Sequence, residues 1–324
     1  MEAFADLDLD TIASRYKENE LKLAIDLRAA GLLPPVPPRC HGAAMVHRPL
    51  RPWVWRCVQR ECQREQSILM NKSFLMGTKK PHDAFKALCL WAHGFSADAI
   101  IKFSGLSKNT VNKLLRGWRK AVSKVEEVSG EKADLYEADE TFLSRRKYHR
   151  GKKMRKTGAV TIQTVLSVKK GSKGKRTGHR VKAMIISDRT KETLLGNIRK
   201  IVPKGKEIQT DGLRSYRSLP NEGYKHSFVC HNKTFVTTDG KKKIHSNTIE
   251  NAHSIMKKTG RKLNLFVGQS HGPGLEEKVA ELMFRYNNRG NTDIFLIVLC
   301  FMLFAYPCCG KNLVRSQIIS VLSL

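Results

Sequence analysis

The chain has 324 residues, with 59 Lys+Arg against 29 Asp+Glu and a formal charge of +30 at pH 7. That length holds a catalytic core plus smaller modules, two or three domains in all. The charge argues against a soluble enzyme of small molecules and for a polyanionic partner, of which nucleic acid fits best because each neutralised phosphate releases counterions. The basic residues run along the whole chain and are not gathered on one amphipathic helix, which argues against a membrane surface.

The eight Cys, at positions 40, 57, 62, 89, 230, 300, 308 and 309, form no regular disulfide framework. The start, MEAFADLDLD, is acidic where a secretory leader would be basic and then apolar. The expected compartment is reducing: the nucleus if the source is eukaryotic, the cytoplasm otherwise, and not the exterior.

Residues 1–35 read as a helical segment that ends at Gly31 and is cut off by Pro34, Pro35, Pro37 and Pro38. Residues 36–78 carry Cys40-His41, then Trp53, Trp55, Cys57 and Cys62. Two Cys knuckles on hairpins are how a zinc ribbon brings four soft ligands to one ion. Here the second knuckle is Cys57-x4-Cys62, whereas Ala43 stands where the first needs its second Cys; His41 or His47 can substitute. The candidate zinc ligands are Cys40, His41, Cys57 and Cys62. The alternatives are ordinary reduced thiols, or a ribbon that has lost its metal.

Residues 79–128 read as three helices. Asp83 opens the first, which stops at Gly94; Ser96 caps the second; Gly105-Leu106-Ser107 turns into a third, capped by Ser107. This is a helix-turn-helix layout, whose last helix enters the major groove. Val111, Leu114, Leu115 and Trp118 would face inward, leaving Lys108, Asn109, Asn112, Lys113, Arg116 and Arg119 to meet DNA. A plain three-helix packing module is the alternative.

Past a charged connector, residues 133–306 read as an α/β domain. Strand-like runs at 135–143, 159–168 and 180–187 are followed by a helix at 192–201, strands at 207–210 and 228–229, and a helix within 244–258. That order is the one found in a ribonuclease H-like mixed sheet flanked by helices. The apolar run Ile294–Tyr306 is 13 residues long, short of the ~20 that span a membrane, and is expected as a buried core helix. The remainder, 307–324, is a tail.

Asp139 falls in the first strand, Asp211 at the end of the fourth, and Glu250 on the last helix of that order. Three carboxylates that converge stay ionised together only if cations neutralise them, and two Mg²⁺ do so while clamping the attacking and leaving oxygens of a phosphoryl transfer. Asp134, Glu137, Glu140 and Asp188 compete for those roles. Glu250 can also be read as a helix cap, at capping-box spacing from Asn247. Residues 145–182 hold fifteen Lys/Arg and no Asp or Glu, a patch able to track phosphates or, in RRKYHRGKKMRK, to act as a nuclear address. His226, His231, His245 and His253 are expected to be structural or phosphate-contacting, since a His-rich set would favour Zn²⁺ over Mg²⁺.

Ala138-Asp139-Glu140-Thr141 with SRRKYHRGKK, Thr210-Asp211-Gly212-Leu213-Arg214-Ser215-Tyr216, Tyr224-Lys225-His226 with His231, and His245-Ser246-Asn247-Thr248-Ile249-Glu250 with Lys257 occur in that order. The run resembles the transposases of the Merlin superfamily of DNA transposons and their bacterial insertion-sequence relatives, over roughly residues 40–306. The resemblance implies a DDE transposase with Asp139, Asp211 and Glu250 as ligands of two Mg²⁺ (or Mn²⁺), one structural Zn²⁺, and Asn247 and Lys257 as secondary catalytic candidates. It implies double-stranded DNA, both element ends and target, as partner, and a homo-oligomer to hold two ends. Ala43 and the tail depart from the pattern. A domesticated, non-catalytic DNA-binding protein and a ribonuclease H-like structure-specific nuclease are the rival functions.

Overall fold

The computed structural model describes residues 4, 7–16, 19–34, 36–48, 51–69, 73–128, 133–143, 160–170, 176–229, 237–239, 242–244, 247–265 and 274–306. The nuclear-address run, His231, His245, Ser246 and the tail lie outside them. The chain divides into two compact units: Met1–Val125 with Gly290–Leu324, and Glu126–Arg289.

The first unit begins with helices α1 (Leu9–Tyr16) and α2 (Glu20–Ala29), followed by short strands β1 (Arg39–Cys40), β2 (Ala43–Ala44), β3 (Val46–Arg48), β4 (Arg51–Arg56) and β5 (Glu65–Ser67). β1 and β2 form one antiparallel hairpin, and β3, β4 and β5 an antiparallel sheet. Helix α2 lies on β4: Trp53 Nε1 donates to Glu20 at 2.9 Å, and the Arg28 guanidinium stands 5.0 Å from the Trp55 ring. Then come α3 (Pro81–Ala92), α4 (Ala97–Ser104) and α5 (Lys108–Val128). Ser96 accepts from the Ala99 amide, Gly105 ends α4 in the left-handed region at φ 71°, and Ser107 accepts from the Thr110 amide. These are the caps that hydroxyl and glycine residues are expected to supply.

The core of this unit is aromatic. Trp91 and Trp118 rings are 5.8 Å apart, and the Trp118 indole donates to the Phe74 carbonyl at 2.8 Å. Phe85 meets both Tyr16 and Phe295, the latter from α9 (Ile294–Ala305). The apolar run is therefore a buried helix, and among the described residues no helix is long and apolar enough to cross a membrane. It packs in the first unit, whereas the sequence reading carried the α/β domain on to residue 306. A helix apolar on every side needs burial all round, and the face of Phe85 offers it.

The second unit is a mixed five-stranded sheet flanked by helices. Its strands are β6 (Leu135–Leu143), β7 (Val160–Lys170), β8 (Arg176–Ile185), β9 (Glu207–Asp211) and β10 (Lys225–Val229), in the spatial order β10-β9-β6-β7-β8. β6-β7-β8 is an antiparallel meander, and β9 and β10 add in parallel with β6. A small hairpin, β11 (Thr237–Asp239) and β12 (Lys242–Ile244), precedes α7 (Asn247–Lys262) and α8 (Leu275–Asn287).

Period-two alternation in β6 feeds both faces of the sheet. Tyr136 and Ala138 join Leu194, Leu195 and Ile198 of α6 (Lys191–Ile201) on one side. Leu135 and Leu143 join Ile249, Ala252, Met256, Val279 and Leu282 of α7 and α8 on the other. Asp139 consequently faces α7 and Glu140 faces α6, although they are neighbours in the chain.

Candidate functional sites: an acidic strand end and a Cys/His cluster

β6 and β9 run in parallel with Ala138 opposite Thr210, the last pair of that ladder, so Asp139, midway along β6, and Asp211, the last residue of β9, follow it on adjacent strands. Helix α7 is tied to this end at two points. Glu137, 1% exposed, accepts from the Ile249 amide at 3.0 Å. His253 Nδ1 stands 3.7 Å from Asp139 Oδ2. Thr164, opposite Asp139 in β7, donates to the Asp139 carbonyl at 3.0 Å and lies 2.5 Å from His253 Nε2. One of the first amides of α7 is thus taken by a carboxylate from the sheet.

Burial pushes the Asp139 carboxyl up to about 7; the negative charges of Glu140 and Asp211 add to it, against the Glu140 amide and Arg189. His253 is pushed down to about 4, mainly by burial and further by Lys257. Both shifts favour the neutral form, as desolvation does. A desolvated carboxylate next to two others is a donor set that suits a hard divalent cation, so these residues fit Mg²⁺ or Mn²⁺.

Glu250 is exposed on α7, one turn before His253. Glu250, His253, Ser254, Lys257 and Arg261 line a recess of about 370 Å³ along one face of that helix. Lys257 therefore shares the face with Glu250, while Asn247 opens the helix and is exposed. Asp139 and Asp211 do not line the recess, and the three carboxylates are not all within 4.8 Å of one another.

Sequence reasoning missed Arg189 altogether. It lies just before α6, with its guanidinium 2.5 Å from Glu140 and 4.0 Å from Asp211. Behind it, the Tyr216 hydroxyl donates to Glu140, Gln163 donates to Tyr216 at 3.1 Å, and Asn197 donates to Gln163 at 3.0 Å. Glu140 is thereby committed to Arg189 and Tyr216 on the α6 face. No spacing rule signals Arg189.

In the first unit the ligand atoms of Cys40, His41, Cys57 and Cys62 all lie within 4.8 Å of one another, the only such set of three or more among the described residues. His41 and Gly42 form the β1–β2 turn with φ of 51° and 77°, both left-handed, as a two-residue hairpin turn requires. Ala43 pairs with Cys40 in that hairpin, and the His41 ring comes from the turn to place Nε2 3.1 Å from Cys62 Sγ. His47 instead packs edge-on against Trp55 at 5.0 Å. The Arg64 amide and then His41 pull the Cys62 thiol down to about 7, while burial and the neighbouring thiols push Cys40 up to about 11. Three sulfurs and an imidazole can bind zinc.

On α5, Val111, Leu114, Leu115 and Trp118 are buried. Lys108, Asn109, Asn112, Lys113 and Arg116 are exposed, and Arg119 is half-buried.

Residues 131–287, all within the second unit, match the family model of the ISXO2-like transposase domain. The match supports a DDE transposase family. It covers just under half of the chain. No curated protein matches the sequence. Among solved structures, a chain of the simian T-cell lymphotropic virus intasome in complex with PP2A regulatory subunit B56 gamma is similar at 12% identity and a TM-score of 0.31, over 60% of this chain and 64% of that one. Less than two thirds of that chain is spanned. The transposase-domain match and the carboxylates Asp139 and Asp211 fall on the same segment.

Proposed function

We propose that the protein is a DNA transposase that binds the ends of its element, cleaves them, and joins the 3′-hydroxyls to target DNA by two-metal phosphoryl transfer. The observation that carries the reading is that Asp139 and Asp211 directly follow the last pair of the parallel β6–β9 ladder, with α7 tied to β6 through Ile249 and His253. The order of strands and helices supports a ribonuclease H-like domain within residues 133–289. Bound divalent ions supply charge stabilisation of the transferring phosphate and activation of the attacking oxygen. Asp139 and Asp211 hold them from the sheet, and Glu250 completes the set from α7, with Asn247 and Lys257 beside it. Arg189, half-exposed and fixed by Glu140, faces the same end of the sheet. There it can meet a phosphate.

The exposed basic face of α5 supports a helix-turn-helix over residues 79–128, with Lys108, Asn109, Asn112, Lys113, Arg116 and Arg119 toward the duplex. A zinc-bound module over residues 36–78 adjoins it in sequence. Holding two DNA ends calls for a homo-oligomer, and the site of action is the nucleus if the source is eukaryotic.

The test is cleavage of DNA carrying the gene's own flanking ends in Mg²⁺, wild type against Asp211→Asn. Nicks at the element boundary that vanish in the variant support the reading. If both proteins bind the ends and neither cuts, the catalytic assignment fails, and a non-catalytic DNA-binding protein remains. The separation of Asp139 and Asp211 from the α7 recess is the observation that favours that second reading.

A further inference from the structure

We propose that His253 is itself a metal ligand, through Nδ1, to the cation held at Asp139. The inference rests on the transposase reading and adds a nitrogen to a site so far described in carboxylate oxygens.

The tautomer follows from hydrogen-bond bookkeeping. Thr164 has one hydroxyl proton, and the Asp139 carbonyl, 3.0 Å away, can only accept it. The His253 Nε2 contact to the same hydroxyl, at 2.5 Å, then exists only if Nε2–H is the donor. Nδ1 is left with its lone pair. That lone pair meets Asp139 Oδ2 at 3.7 Å, too far for a hydrogen bond, and two acceptors that face each other repel unless a cation or a proton lies between them. Two bonds of about 2.1 Å to one ion can bridge such a gap.

The surroundings match what a ligating imidazole requires. Such a ring donates its other N–H to an oxygen that fixes its orientation; here the Thr164 hydroxyl accepts, itself anchored on the Asp139 main chain. The ring is 5% exposed yet lines the α7 recess with Glu250, which stands one turn earlier on the same face. His253 thus stands beside Asp139 and lines the same recess as Glu250. An imidazole nitrogen also tilts preference away from Mg²⁺ toward Mn²⁺ and later transition metals.

The experiment is Mn²⁺ alone, titrated into the full chain and followed by calorimetry and electron spin-echo spectroscopy. Wild type is expected to show a nitrogen coordinated to Mn²⁺ whose coupling changes from ¹⁴N to ¹⁵N when the protein is grown on ¹⁵N-histidine, a readout that needs no variant. His253→Gln should lose that coupling and bind Mn²⁺ at least roughly tenfold more weakly, narrowing the Mn²⁺/Mg²⁺ affinity ratio. Mn²⁺ that binds without nitrogen coupling, and is released by Asp139→Asn, overturns the ligation by His253 while leaving the transposase reading intact; the gap then belongs to a proton. If Mn²⁺ does not bind at the acidic site at all, both readings fall.

Discussion

The Glu137 carboxylate of β6 accepts a hydrogen bond from the Ile249 amide in the first turn of α7, at 3.0 Å and out of contact with solvent. A sheet residue two positions from Asp139 thereby caps the helix that carries Glu250. Glu137→Ala would orphan a buried amide, at a cost of about 1–3 kcal/mol. Glu137→Gln keeps an acceptor oxygen and forfeits chiefly the charge–dipole attraction, about 0.3–1 kcal/mol. Urea unfolding should rank the two in that order, and equal losses would sink the capping role.

Arg189 and Glu140 should be energetically coupled. Glu140 is nearly buried, and Arg189, at 45% side-chain exposure, holds it at 2.5 Å. Removing one partner strands the other, so a double-mutant cycle with Arg189→Gln and Glu140→Gln is expected to give a coupling of about 0.5–3 kcal/mol. Tyr216→Phe, which deletes the hydroxyl between Glu140 and Gln163, should cost about 1–3 kcal/mol by leaving both without that partner. Additive behaviour of Arg189 and Glu140 would mean that the pair is incidental.

The Cys/His cluster predicts a tetrahedral Cys₃His centre. Co²⁺ added to reduced, metal-free protein should give the visible absorption of thiolate-bound tetrahedral cobalt, and Zn²⁺ should displace it. His41→Ala and Cys62→Ser are each expected to abolish or strongly weaken that signal, whereas His47→Ala, with its ring against Trp55, should leave it in place. A signal that depends on His47 and not on His41 would refute the ligand set.

Gly117 is a packing requirement of α5. A Cβ there would fall 1.8 Å from Met76 Cε and 3.3 Å from the Tyr306 hydroxyl, which donates to the Gly117 carbonyl. Gly117→Ala gains up to about 1 kcal/mol of helix propensity, yet overpacking costs about 1–3 kcal/mol, so net destabilisation is expected. Shortening Met76 to Ala in the same chain should recover part of it. The outcome that counts against this is a single variant more stable than wild type.

Asp188 supplies a pH dependence. It accepts from the Thr190 amide and the hydroxyls of Thr190, Thr193 and Ser187, and these bonds, led by those from Thr190 and Thr193, hold its carboxyl far below the usual range. Protons bind the unfolded chain more readily, so the stabilisation is fully present above the unfolded pKa of about 3.9 and drains away as pH falls below it. Asp188→Asn should flatten that part of the acid-unfolding curve; an unchanged slope would remove Asp188 as its source.

Much of the architecture was legible locally. Ser96, Gly105 and Ser107 punctuate the helices of residues 79–128 where hydroxyl caps and a left-handed glycine stop are expected, because caps are short-range hydrogen bonds. Strand and helix order in the second unit followed from the change of apolar period. Cys40, His41, Cys57 and Cys62 were identifiable by residue type alone, but that His41 and not His47 joins them depended on a hairpin turn with two left-handed residues.

The sequence by itself determined most of the elements, though not α8, together with the excess of positive charge and the identity of the carboxylates competing for the site. Only the tertiary structure gave those carboxylates their different partners. Alternation puts Glu137 and Asp139 on one face of β6 and Glu140 on the other, but which face receives α7 is set by burial of Leu135, Leu143, Ile249 and Met256, residues more than a hundred positions apart at the extremes. The same long-range packing made Glu137 a cap, gave Glu140 to Arg189, and brought His253 to Asp139. Contacts between distant residues come from filling a shared core, and no spacing along the chain encodes them.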